Sequence, residues 1–303
     1  WRMLGSDTPV DHSSRFAFQT LLFESMENIP DLVLTGATPT IIPSWHASGD
    51  YKLDLASWTQ SFEPQTTVVA SRVVQAHELS GDMLAEVSRD LLCDLLSSLP
   101  GGPCRMWAFL PRPTEHDSDF LERYMRFNEG RTNAFRSLSD IVTAVPAGTC
   151  VGHAGTALVV HALWNPLPFV TVENPRQRPA WLYSNRFGPV APSFVRGVVC
   201  RNTLLAAGTA SIVGEETLHE SSIDLQFEET IRNMQALAEA SNASGKWRSL
   251  QIYVRDAAHL ERVASLASTH FPGCVEKILH VPLCRSTLLV EIEGICNANT
   301  AQA

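Results

Sequence analysis

The chain has 303 residues, 23 Lys and Arg against 32 Asp and Glu, and a formal charge of −9. A chain of this length buries roughly three quarters of its unfolded surface on folding, so it needs neither disulfides nor a structural metal. The acidic balance argues against the clustered basic surface of a nucleic-acid-binding protein. A hydrophobic fraction of 45% excludes disorder, and no apolar run approaches the ~20 residues of a membrane span.

The first 60 or so residues are weakly patterned, with Pro, Gly and Ser among short strand-like runs. No signal-peptide pattern opens them, and the start at Trp1 reads as a truncation. Regular signals begin with a β-branched strand at Thr66–Ala70. A helix follows, capped by Ser80-Gly81-Asp82, with Met83, Val87, Leu91 and Leu95 at helical spacing, and Pro100-Gly101-Gly102 ends it. Cys104–Leu110 reads as a strand, Asp119–Leu138 as a second helix and Thr156–Leu163 as a strand. The same order then recurs. Leu204–Val213 is a strand broken by Gly208, Asp224–Ala240 a helix, Ser249–Val254 a strand, Ala257–His270 a helix, and Val275–Val281 and Leu288–Glu293 are strands. Two such halves predict a duplicated α+β architecture, divided as 1–150 and 151–303. Between them Asn165–Gly197 is rich in Pro, Arg and aromatic residues. A connection this long without periodicity is either a stiffened surface loop or functional.

The seven cysteines include no C-x-x-C pair and mostly lie in apolar runs, which predicts reduced thiols in a cytoplasmic enzyme. The ten histidines form no H-x-H or H-E-x-x-H cluster, so no metal site is expected.

Three stretches carry candidate chemistry. Helical spacing puts Tyr124, Asn128, Arg131 and Phe135 on one face. If that face packs inward, Arg131 must meet either a structural carboxylate or an anionic ligand. In the last strand Glu291 and Glu293 share a face with Leu289. That face is either wet, with both glutamates solvated, or covered, with Glu291 pushed toward the protonated form that general-acid catalysis uses. Cys284, beside Arg285, is either apolar filler or a thiol activated by the adjacent cation. A straight strand would set Cys284 and Glu291 on opposite faces, so a shared site requires a bend at Pro282–Ser286.

Taken together, the motifs RMW (Arg105–Trp107), YMRFNEGR–AF, ENPRQ (Glu173–Gln177), FGP–PSFVRG, GTASIVG (Gly208–Gly214) and CRSTLLVEIEG (Cys284–Gly294) resemble the chorismatases, enzymes that remove the enolpyruvyl side chain of chorismate. The second half is also similar to the YjgF-like reactive-intermediate deaminase fold. The resemblance implies two YjgF-like α/β halves with mixed sheets and helices packed on one face. The N-terminal half would be degenerate, the C-terminal half catalytic, and the site would lie in a cleft involving both. It implies Glu291 as the acid and Cys284 as a second catalytic residue. Tyr124, Arg131, Tyr183, Arg196, Gly197 and Ser211 would bind chorismate. The glycine after SFxR, here Gly197, and the cysteine at 284 are similar to those of the 3-hydroxybenzoate-forming members, so the expected products are 3-hydroxybenzoate and pyruvate. Hydrolysis to a dihydroxycyclohexadiene carboxylate is the alternative within the family, and a non-catalytic carboxylate-binding module the alternative outside it. No cofactor or metal is implied, no nucleic-acid or membrane partner is expected, and the chain would be a monomer or a trimer.

Overall fold

Alternation along one strand organises the molecule. In β3 (Arg105–Pro111), Met106, Ala108 and Leu110 join a core with Leu84, Leu91 and Leu95. The intervening Trp107 and Phe109 join a different core with Ile212, Tyr253 and Leu288. A strand apolar on both faces is covered on both faces. Here one cover is a helical layer and the other a second sheet. The computed structural model from which this is read describes residues 58–62, 67–76, 79–153, 155–165, 167–200 and 202–298. The weakly patterned stretch up to residue 57 lies outside them.

The first sheet contains β1 (Trp58–Phe62), β2 (Thr67–Gln75), β3, β4 (Ala147–His153) and β5 (Ala157–Trp164), in the order β1-β2-β5-β3-β4. Its β3–β4 pair is parallel and the rest antiparallel. Helices α1 (Gly81–Ser97) and α2 (Arg123–Ser137) cover its outer face. The second sheet contains β6 (Phe169–Val172), β7 (Gly197–Cys200), β8 (Thr203–Ala210), β11 (Ala243–Val254), β12 (Val275–His280) and β13 (Val290–Ala298). Their order is β12-β11-β13-β8-β7-β6. A short hairpin, β9 (Ile212–Val213) and β10 (Glu216–Thr217), extends from the end of β8. Helices α3 (Ile223–Ala240) and α4 (Leu260–His270) pack on the outer face, through Phe227, Met234, Leu237 and Val263 against Leu250, Ile252 and Ile292. The expected α+β class is observed, with two mixed sheets and helices on one face of each.

Several boundaries differ from expectation. A division at residue 150 would fall inside β4. The first sheet closes with β5, and the second begins at Phe169. Strand β4 (AGTCVGH) escapes sequence reading because it is buried throughout and has glycines where an alternating pattern would show large residues. Helix α2 starts at Arg123 because Asp117 accepts hydrogen bonds from the backbone N–H groups of Asp119 and Leu121, holding those residues in a turn. Ser80 occupies the N-cap of α1 without a side-chain cap bond. The strand expected to break at Gly208 continues to Ala210, carrying Gly208 in a β-bulge. Ile292 pairs with Thr209 and Gly294 with Ala206, so Ala207 and Gly208 together oppose Glu293.

Candidate active site

The inner faces of the two sheets meet where β4 lies against β8, beside β13. Glu291 and Glu293, two residues apart on β13, both project into this layer. Glu293 is fully engaged there. It pairs with Arg105 at 2.5 Å, and it accepts hydrogen bonds from Trp107 Nε1 at 3.1 Å, Tyr253 Oη at 2.9 Å and Thr149 Oγ1 at 2.5 Å. The covered alternative therefore holds for this face, and the wet one does not.

Glu291, 4% exposed, receives no hydrogen bond at its carboxyl among the described residues and faces a cavity. Burial, reinforced by the charge of Glu293 and opposed by Arg105, Arg196 and Arg285, pushes its pKa up to about 8. The two carboxyls on one strand thus differ in role. One is neutralised by an arginine, and the other is protonated at neutral pH and aimed at open space. Gly208 makes room for it, because a Cβ there would stand 1.8 Å from Glu291 Oε1. Gly208→Ala therefore displaces the carboxyl, and kcat should fall about 10–100-fold, the range a misplaced catalytic group costs. Steady-state kinetics on the variant checks this.

Three arginines surround the same cavity. Arg131 and Arg196 are 5% and 3% exposed, and Arg285 is partly exposed. None makes an ion pair among the described residues. Arg131 donates to Asn128 Oδ1 at 2.7 Å, and its guanidinium lies over the rings of Phe127 and Phe194. Arg196 donates to Tyr183 Oη at 2.5 Å and lies 4.9 Å from the Phe194 ring. Arg285 donates to the Glu215 carbonyl at 2.8 Å and stacks 3.9 Å from the Phe187 ring. The Nε atoms of Arg131 and Arg196 are buried without partners. Buried guanidiniums held by neutral groups leave net positive charge toward the cavity, which suits an anionic ligand and disfavours the structural-carboxylate alternative for Arg131.

The 165–197 connection lies at the cavity. It folds over the cavity, contributes Tyr183, Phe187, Pro192, Phe194 and Arg196 to its lining, and is tied down by Ser184 and Arg178 onto Glu215. Tyr124 lines the cavity from α2, its hydroxyl kept protonated by burial. Cys284 also lines it, since the bend before β13 sets it beside Glu291. Burial and the nearby carboxyl hold its thiol well above the usual range, so Cys284 is a neutral wall group, not a thiolate.

Two expected ligand contacts fall elsewhere. The Ser211 hydroxyl donates to the Leu218 carbonyl at 2.9 Å and lies outside the cavity lining. Gly197 also lies outside it. A Cβ there would meet Leu204 and Leu237 on the helical side, because alternation along β7 turns residue 197 away from the face that Arg196 takes. Among residues not foreseen, Arg285 figured only as a neighbour of Cys284. Thr149 carried no signal. Glu122, Met125 and Gly148 also line the cavity, together with Cys150, Ala210, Ile212 and Leu288.

Residues 73–164 match the family model "Chorismatase FkbO/Hyg5-like, N-terminal". The chain is 30% identical over 211 residues to a 3-hydroxybenzoate synthase of Streptomyces hygroscopicus, covering 63% of this chain and 62% of that one. The chain thus spans less than two thirds of that relative's length. It is 26% identical over 275 residues to a chorismatase of Streptomyces rapamycinicus, covering 83% and 81% of the two chains. A crystal structure of a chorismatase shares its fold with a TM-score of 0.68 at 24% identity, over 79% of each chain.

Proposed function

From its similarity to the chorismatases, over residues 73–164 in the family model and over 83% of its length in one relative, we propose that this chain cleaves the enolpyruvyl ether of chorismate and releases pyruvate and 3-hydroxybenzoate. The observation that carries the reading is a protonated Glu291 facing a cavity ringed by Arg131, Arg196 and Arg285, none of them in an ion pair among the described residues. Chorismate is a dianion with an enol ether between its two carboxylates, so it needs cationic anchors and a proton donor between them. The arginines grip the carboxylates, and their attraction is local, because the net charge of −9 repels anions at long range.

Glu291 protonates the methylene carbon of the enol ether. The resulting oxocarbenium centre is stabilised by the carboxylate that remains and is attacked by a ring hydroxyl or by water. Addition of water gives a hemiketal whose collapse expels pyruvate and leaves both ring oxygens in place. Addition of the ring hydroxyl gives a cyclic ketal. Its collapse breaks that oxygen's bond to the ring, carries the oxygen away in pyruvate and returns a ring proton to the Glu291 carboxylate as the ring aromatises. Loss of pyruvate with aromatisation consumes no net water, whereas the hydrolytic alternative adds one. Cys284 and Tyr124 form the wall against which the ring sits. Both halves of a single chain supply the site, so no second copy is needed to complete it. Seven free cysteines support a cytoplasmic setting, and among the described residues no helix is long and apolar enough to cross a membrane.

Incubation with chorismate, with pyruvate and ultraviolet-detected aromatic products followed together, tests the reading. Pyruvate with 3-hydroxybenzoate is the expected result, and a non-aromatic partner product would establish hydrolysis. Binding of chorismate without pyruvate release would instead establish a carboxylate-binding module and reject the enzyme. The acid must be protonated, so kcat should be level below about pH 8 and fall tenfold per pH unit above it. A bound dianion moves that limit upward, and a rate–pH profile measures it.

A further inference from the structure

The Glu291 carboxyl is seated against a backbone irregularity, and one side chain from the opposite sheet holds that irregularity in shape. Where Ala207 and Gly208 together face Glu293, the Gly208 N–H has no ladder partner in β13. It donates instead to Thr149 Oγ1, on β4, at 2.8 Å. The same hydroxyl accepts from Arg105 Nη2 and donates to Glu293 Oε2 at 2.5 Å, so its hydrogen-bonding capacity is used in full. Thr149 is 3% exposed, and its Cγ2 lies 3.2 Å from where a Cβ of residue 208 would stand. This hydroxyl therefore joins three strands at the point where Gly208 comes under the catalytic carboxyl.

We infer that Thr149 is a positioning residue: by pinning the Gly208 bulge to Arg105 and Glu293, it fixes where the Glu291 carboxyl sits and keeps water away from it. The inference rests on the reading of Glu291 as the acid, but it can be tested without turnover. Bulges beside active sites re-aim side chains, and an unpaired N–H at a bulge draws in whichever acceptor is available. Without the hydroxyl, the Gly208 N–H is orphaned and the bulge relaxes toward the cavity, admitting water beside Glu291. The groups facing that carboxyl are Glu293 on β13, Arg105 on β3, Cys150 on β4, Arg196 before β7, and Cys284 and Arg285 in the bend before β13. All keep their identity when Thr149 is replaced, and two of them, Arg105 and Glu293, lose a hydrogen bond to its hydroxyl.

The test uses Thr149→Val, which keeps the shape and removes the hydroxyl, and Thr149→Ser, which restores it. Glu293→Gln is a poorer probe, because it strands the buried Arg105 guanidinium. In the valine variant the Gly208 amide should lose its protection against hydrogen exchange. The titration midpoint of Glu291, followed by carbon NMR on glutamate-labelled protein and assigned with Glu291→Gln, should fall by about one pH unit, a tenfold loss of proton affinity. With chorismate, kcat should fall about 10–100-fold with little change in KM. Serine should return all three to wild type. A valine variant with wild-type exchange and titration overturns the inference, as does a serine variant that behaves like valine. If the wild type releases no pyruvate, the proposed function fails, while amide exchange and titration still decide the role of Thr149.

Discussion

Glu291→Gln should lower kcat for chorismate by about 10²–10⁴, the range that loss of a positioned general acid costs, with KM nearly unchanged. Glutamine keeps the volume and neutrality of the protonated acid, so the arginine-lined cavity and its grip on the carboxylates persist. Only the transferable proton is gone. The same variant should also be more stable than the wild type at pH 8. In the unfolded chain this carboxyl has an ordinary pKa near 4.5, and in the folded protein it is pushed up to about 8. Between these values the native state binds the extra proton, so wild-type stability declines as pH rises from about 4.5 to 8 and levels off above. Glutamine has no such dependence. Thermal melts of the two proteins across that pH range should therefore diverge as the alkaline end is approached. Equal activity, or parallel melts, would contradict a buried protonated acid at this position.

Arg196→Met should raise KM for chorismate about 10–150-fold, equivalent to the ~1.5–3 kcal/mol of a hydrogen bond to a charged group, with a smaller effect on kcat. Arg196 is nearly fully buried, with its guanidinium held by Tyr183 and by the Phe194 ring, and no acidic side chain pairs with it among the described residues. The Glu173 carboxyl accepts the Arg196 backbone N–H and feels the guanidinium's charge but makes no bond to it, so the missing ion-pair partner is the ligand's. Methionine preserves most of the buried apolar stem. Arg196→Lys should recover only part of the loss, because an ammonium cannot present the two parallel donors that a carboxylate accepts. Isothermal titration with a non-reactive dicarboxylate would separate binding from turnover. Unchanged affinity in the methionine variant would remove Arg196 from the ligand site.

Local regularities were legible in the sequence wherever a short period sufficed. Helical spacing predicted the face bearing Tyr124, Asn128 and Arg131, and in the structure Asn128 holds Arg131 while Tyr124 and Arg131 line the cavity. The bend needed to bring Cys284 and Glu291 together was also deducible, because seven residues along a straight strand would oppose them. Strand β4 was not legible, since its buried small residues carry neither alternation nor helical period. Gly197 and Ser211 stand within motifs whose neighbours line the cavity, yet they point elsewhere, since successive strand residues take opposite faces.

By itself the sequence determined that Glu291 and Glu293 share a face, that arginines cluster in the motifs around them, and that the chain folds as two α+β halves. Only the tertiary structure decided that Glu291 is the carboxyl left facing the cavity with its pKa raised, while Glu293 is paired with Arg105. That outcome depends on Arg105 reaching Glu293 across 188 residues of chain, on Thr149 and Trp107 arriving with it from the first sheet, and on the second sheet being covered on both faces. Periodicity is a property of neighbours along the chain. Desolvation and charge pairing, which set the proton affinity of Glu291, are properties of neighbours in space.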